Sequence, residues 1–340
     1  MEHNTSSPAP VGDESVKGRY LEVDVLKSAG ILTVVLIHSV RAPWVSGVSA
    51  TEIWLGLTTR FAVPAFLACS GFLYAAVARV PHATTLRRLR RILIPYLIAS
   101  VAAQVWLFSY GPAPQNSSVV LDFLLGSSFG PYYYIFVLFW LVLITPLLAL
   151  LPRFALGPLL VLLFLVQGFF ESGSASGVPL IWSLRNPLLW WAYFVLGWVV
   201  RLNYDRLVSW IAGRRLGVVI ALALAVVICT GVAGSEGPYV ALRVGAWLNI
   251  YAILGLLFVL TCGRAGSPAP LRILSDGSYA IYLFHLFFVY GVQGYLRARH
   301  HEFDAATIAL SWSAGLLGAM AVIGVMRALL GARARDAIGA

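Results

Sequence analysis

Ten apolar runs, most of them close to 20 residues long, follow one another between residues 22 and 330: about 22–42, 53–78, 90–110, 131–151, 154–170, 187–201, 216–234, 240–262, 274–296 and 306–330. A helix of about 20 apolar residues crosses the hydrocarbon of a bilayer and satisfies its own backbone while doing so. The fold class expected is therefore all-α, a polytopic transmembrane bundle of about ten helices. Charged residues make up only 11% of the chain, against about 25% in a soluble domain. The run 118–129 is too short to cross and reads as an interfacial piece. Residues 1–18 are polar and read as a disordered cytoplasmic tail, 19–332 as the membrane domain and 333–340 as a second tail. No stretch outside the runs is long enough for a soluble domain. No internal repeat is visible, which disfavours transporters built from duplicated halves.

The net charge of +10 does not point to nucleic acid. The basic residues sit in short clusters between apolar runs, as the positive-inside rule requires. With the N-terminus inside, 17 of the 24 Lys and Arg fall on the inner side and four on the outer. That asymmetry puts both termini in the cytoplasm and favours an even number of crossings. Cys69, Cys229 and Cys262 lie in apolar runs without ligand spacing and read as small buried side chains. No HExxH, P-loop or GxGxxG turn occurs, so a bound metal or a nucleotide fold has no support.

The first run, Val25–Val40 (VLKSAGILTVVLIHSV), holds Lys27 and His38. Ionisable residues inside a membrane segment are functional candidates, because lipid burial is costly for them. Eleven residues at about 100° each bring the two side chains onto one helical stripe, about 16 Å apart along the axis. His38 can accept a proton from a hydroxyl; helix packing against a carbonyl is the bland alternative. Asp24, three residues before Lys27, can pair with it. Arg60 is expected inside the second helix, about 10 Å below its outer end, where it reaches the depth of His38 or snorkels outward. Pro64 and the small residues Ala68, Ser70 and Gly71 let neighbouring helices come close to it. Arg87, Arg88, Arg90 and Arg91 cluster before Pro95. They suit anionic lipid, or a polyanionic ligand that Arg can grip with two parallel bonds. His285 lies about ten residues into the ninth run, close to the midplane and within reach of the depth of His38, with Tyr282 one turn below; Tyr132–Tyr134 open the fourth run as an aromatic belt would.

These blocks together resemble the acyltransferase-3 family of bacterial membrane O-acyltransferases. The resemblance runs over about residues 19–330, from YLEVDVLKSAGILTVVLIHS through RFAVPAFLACSGFL and RRLRRILIPYL, then PYYYIFVLFWLVLITPLL and WWAYFVLGWVV, to LSDGSYAIYLFHLF. The family has Arg, ten residues, then His in its first helix; here Lys27 stands at the Arg position, keeping the charge but losing the two-pronged fork. Ser70-Gly71, Arg90-Arg91, Tyr282 and His285 match further family positions.

The resemblance implies transfer of an acyl group, commonly acetyl, from acyl-CoA to a carbohydrate hydroxyl of a surface polysaccharide, glycolipid or glycosylated metabolite. His38, with Lys27, is the catalytic candidate. Lys27, Arg87, Arg90 and Arg91 would engage acetyl-CoA, a co-substrate and not a resident cofactor. Arg60, Ser70, Tyr133, Tyr282, His285 and Asp24 would contact the acceptor or the oxyanion. Membrane lipids, the carbohydrate acceptor and the donor are the expected partners, with no nucleic acid and with a homo-oligomer allowed. The bacterial cytoplasmic membrane is the expected location. The alternative function is a transporter or flippase for a glycan or glycolipid, since polar residues deep in a membrane also suit a translocation path.

Overall fold

The computed structural model describes residues 19–41, 49–75, 82–110, 118–171, 184–235 and 244–339. The expected N-terminal tail 1–18 lies outside them. Among the described residues the chain is helical, without strands. The helices are α1 (Leu21–Ser39), α2 (Ala50–Thr58), α3 (Ala62–Tyr74), α4 (His82–Tyr110), α5 (Val119–Leu125), α6 (Tyr133–Leu150), α7 (Arg153–Phe169), α8 (Trp191–Leu202), α9 (Tyr204–Ala212), α10 (Arg215–Ser235), α11 (Val244–Thr261), α12 (Ala269–Ala298), α13 (Ala305–Leu330) and α14 (Ala334–Ile338). Each of the ten apolar runs holds helix. Seven spans are long and apolar enough to cross a membrane, counting α2 and α3 as one stretch from Ala50 to Tyr74. α7 and α8 are apolar but shorter, and α1 carries Glu22, Asp24 and Lys27 within its 19 residues. α5, with seven residues, is the short piece expected over 118–129.

α1 is held in the middle of the bundle, against α3, α11, α12 and α13. Its charged first half is thereby covered by protein: Glu22 and Asp24 are buried. The expected Asp24–Lys27 pair does not form. Arg19 takes Asp24 instead, donating from Nε at 2.5 Å and Nη2 at 2.9 Å, and also reaches Asp276 of α12 at 3.0 Å. The planar guanidinium meets both oxygens of Asp24 with its fixed fork and still reaches Asp276, a two-pronged grip that the point-like ammonium of Lys27 does not offer. These carboxylates hold the Arg19 guanidinium above its ordinary range, chiefly through the Asp24 hydrogen bond. Ser28 Oγ donates to the Leu271 carbonyl at 2.9 Å in the same region. At the other end of α1, Gln293 Nε2 of α12 donates to the carbonyls of His38 and Ser39 at 3.3 Å each. Trp312 Nε1 of α13 donates to Leu32 at 3.0 Å. α1 and α12 thus run parallel, tied at both ends.

α3 and α8 pack backbone to backbone. A Cβ on Gly71 would stand 1.9 Å from the Phe194 carbonyl oxygen, and one on Gly197 1.9 Å from that of Ala68. Small residues at such contacts are how helices associate where lipid offers no hydrophobic drive. The tail expected after residue 332 instead packs onto α4: Ile338 is 1% exposed and belongs to the main core.

Gly197→Leu should prevent α3 and α8 from docking, because backbone atoms cannot move aside as a side-chain tip can. Loss of the monodisperse peak in detergent is expected. Gly217→Ala, at an open site, should leave Tm unchanged or slightly raised, a difference of about 1 kcal/mol at most.

Candidate active site

A cavity of about 880 Å3 opens at the His38 end of the bundle, inside the range of about 300–1,000 Å3 usual for small-molecule sites. Its wall brings together four of the candidates from widely separated helices: His38, Arg60, Tyr133 and Tyr282. His38 is half-buried on the last turn of α1.

Arg60 is not inside a continuous helix as expected. It sits in a one-turn break between α2 and α3. Pro64 explains the position: proline has no N–H for the carbonyl four residues earlier, which is that of Arg60, and its ring crowds the same atom. Thr59 stops α2 from the other side, its Oγ1 donating to the Leu55 carbonyl at 2.7 Å. The break turns a residue of a membrane span onto the cavity wall, and the Arg60 Nε is buried there without a hydrogen-bond partner among the described residues.

Sequence reasoning missed several residues of the wall. Glu171, just beyond α7, is 9% exposed and faces the cavity. Glu52 faces it too, in an ion pair with Arg41 at 2.7 Å and a capping box with Ser49 at the start of α2. The carboxylate of Glu52 holds the Arg41 guanidinium above its ordinary range. Arg185 reaches the wall while its guanidinium donates to the carbonyls of Leu125 and Gly126. Ser49-x-x-Glu52 was legible as a capping box. The others carry no periodic signal, since only the tertiary fold turns them inward.

The tyrosine triplet is not a belt facing lipid. Tyr132 is 0% exposed, Tyr134 is buried, and Tyr133 stands on the cavity wall with its ring 5.7 Å from that of Trp190. Tyr282 also faces the cavity, with its hydroxyl donated to the Pro131 carbonyl.

The remaining candidates lie away from the cavity. Lys27 is half-buried about three turns before His38 on α1 and makes no ion pair among the described residues. Asp24 is held by Arg19. Ser70 donates its hydroxyl to its own helix, to Phe66 at 2.8 Å. Arg87, Arg90 and Arg91 are exposed at the opposite end of the bundle. The member of that cluster that turns inward is Arg88, whose guanidinium lies 4.0 Å from the Tyr74 ring centre and whose Nη1 is buried without a hydrogen-bond partner among the described residues. His285 is fully buried behind His38, and the two ring centres are 5.5 Å apart.

The arrangement offers an imidazole, a cation and hydroxyl-bearing rings on one largely apolar wall at one end, and a basic surface at the other. Among known families, a model described as an acyltransferase domain matches residues 20–328. No curated protein matches the chain, and no solved structure does. The match covers nearly the whole helical bundle, with α1 and its His38 at one end and most of α13 at the other; the chain is a multi-pass membrane protein that belongs to the acyltransferase-3 family.

Proposed function

We propose that this membrane acyltransferase moves an acyl group, acetyl in the first instance, from acyl-CoA to a carbohydrate hydroxyl of a cell-surface polysaccharide, a glycolipid or a glycosylated metabolite. The observation that carries the proposal is His38 on the wall of a cavity large enough for a sugar, with Arg60 freed by its helix break on the same wall. His38 takes the proton of the acceptor hydroxyl as its oxygen attacks the thioester carbonyl. Arg60 balances the negative charge that develops on the carbonyl oxygen. Collapse of the tetrahedral intermediate breaks the C–S bond. The proton held by His38 passes to the departing thiolate, leaving an ester and free CoA.

The two ends of the bundle suit two substrates of different origin. With the N-terminus in the bacterial cytoplasm, Arg87, Arg90 and Arg91 face the compartment that holds CoA, and their exposed guanidinium groups match its phosphates. Lys27 lies between that surface and His38, about 16 Å from the latter along α1. The acceptor enters at the cavity, where Tyr133, Tyr282 and Glu171 offer hydrogen bonds and Trp190 a flat apolar face. Direct transfer is favoured over an acyl-Ser70 intermediate, because Ser70 donates its hydroxyl to its own helix and has no hydrogen-bonded base among the described residues.

Membranes containing the protein, supplied with labelled acetyl-CoA and an envelope glycan fraction, should transfer label to the glycan. His38→Ala should lower turnover by about 10²–10⁴ while the protein elutes normally; full turnover by that variant excludes the general-base role. Arg60→Ala should lower kcat/KM for the acceptor by about 10–100-fold, with Arg60→Lys falling between. Unchanged kinetics in Arg60→Ala would remove Arg60 from the site.

A further inference from the structure

His285 has no face on the cavity, yet its ring is neither idle packing nor fully satisfied. Its Nδ1 lies 3.0 Å from the Ile281 carbonyl and 2.8 Å from that of Tyr282, both in its own helix. Carbonyl oxygens only accept, so Nδ1 carries the proton, and in the neutral ring the lone pair is on Nε2. Nε2 is the end of the ring remote from α12. It is buried and has no hydrogen-bond partner among the described residues. An acceptor left unpaired inside a protein is destabilising, and each such atom calls for an explanation.

His38 supplies one. Its ring centre is 5.5 Å from that of His285, and the two planes are inclined by 36°. An N–H···N bond of about 3 Å between two imidazoles, whose nitrogens stand about 1.1 Å from their centres, sets the centres about 5.2 Å apart. The observed centres lie about 0.3 Å beyond that, so the bond forms when the His38 ring turns its N–H toward Nε2 and closes by that amount.

We infer that His285 is a positioning residue whose Nε2 accepts the N–H of His38, fixing that ring so that its other nitrogen presents a lone pair to the cavity. The inference rests on His38 being the base and adds what orients it. When His38 takes the acceptor proton it becomes an imidazolium, and its N–H to His285 becomes charge-assisted and stronger. The proton stays on His38 until the thiolate receives it; His285 gains and loses none. The two carbonyls do for His285 what a carboxylate does for a catalytic histidine elsewhere: they choose its tautomer.

The test compares three substitutions in the full chain, using labelled acetyl-CoA and the envelope glycan fraction. His285→Phe fills the space of the ring but offers no acceptor. His285→Asn keeps a donor near the place of Nδ1 and reaches no farther. His285→Gln puts an amide oxygen near the place of Nε2. His285→Phe and His285→Asn should each lower kcat by about tenfold or more with KM for acetyl-CoA unchanged, and His285→Gln should recover several-fold over both. Wild-type kcat in the Phe or Asn variant overturns the inference. So does a Gln variant no better than Asn, or a loss confined to KM. Elution and Tm are measured alongside, and should Phe not fold, the Gln-against-Asn comparison decides. If His38→Ala is inactive while His285→Asn is fully active, only this inference fails; if His38→Ala is fully active, the base assignment fails first.

Discussion

Everything in this bundle depends on keeping the polar stripe of α1 out of lipid. Lys27 and His38, with Glu22 and Asp24 beside them, would be expensive on a helix facing hydrocarbon. The solution is positional: α1 is wrapped by α3, α11, α12 and α13, while the strongly apolar α10 faces outward, with only 6% of its span buried. Arg19 and Asp276 bind the start of α1 to α12, and Gln293 binds its end. The parallel alignment this imposes on α1 and α12 is what sets His38 beside His285.

The same logic explains the small residues. Gly71 and Gly197 let α3 and α8 touch through their backbones, which closes one side of the bundle. On the opposite end of α3, Pro64 breaks the span instead of tightening it, and the break presents Arg60 to the cavity. One helical stretch thus serves packing at one end and chemistry at the other. Its two properties come from two residue types, glycine without a Cβ and proline without an N–H.

Much of this was legible in the sequence. The apolar runs foretold helices, Val25–Val40 stood out by its charged interruptions, and the shared depth of His38 and His285 followed from counting residues. Depth is a one-dimensional quantity, and counting yields it. Rotation about each helix axis is not, because in a chain this apolar all faces look alike; α3, α6 and α11 carry almost no amphipathic signal to say which side turns inward. That is why the tyrosine triplet read as a belt though two of its rings are in the core, and why Glu171 and Arg185 were passed over. Pro64 marked the break at Arg60 in plain sight, but proline is tolerated in many membrane helices, so its presence alone did not separate a kink from a stop. The pairing of Asp24 was misjudged for a simpler reason: the nearer cation in sequence, Lys27, is not the one whose fork spans two carboxylates.

The central claim is that position 38 meets the aqueous acceptor while position 285, 5.5 Å behind it, does not. Single cysteines placed by His38→Cys and His285→Cys, in a chain with Cys69, Cys229 and Cys262 replaced, can be titrated with a small membrane-impermeant thiol reagent applied to each side of sealed membranes. Position 38 should be labelled from the side opposite the Arg87–Arg91 cluster, and position 285 from neither. Labelling at 285, or none at 38, would contradict the account.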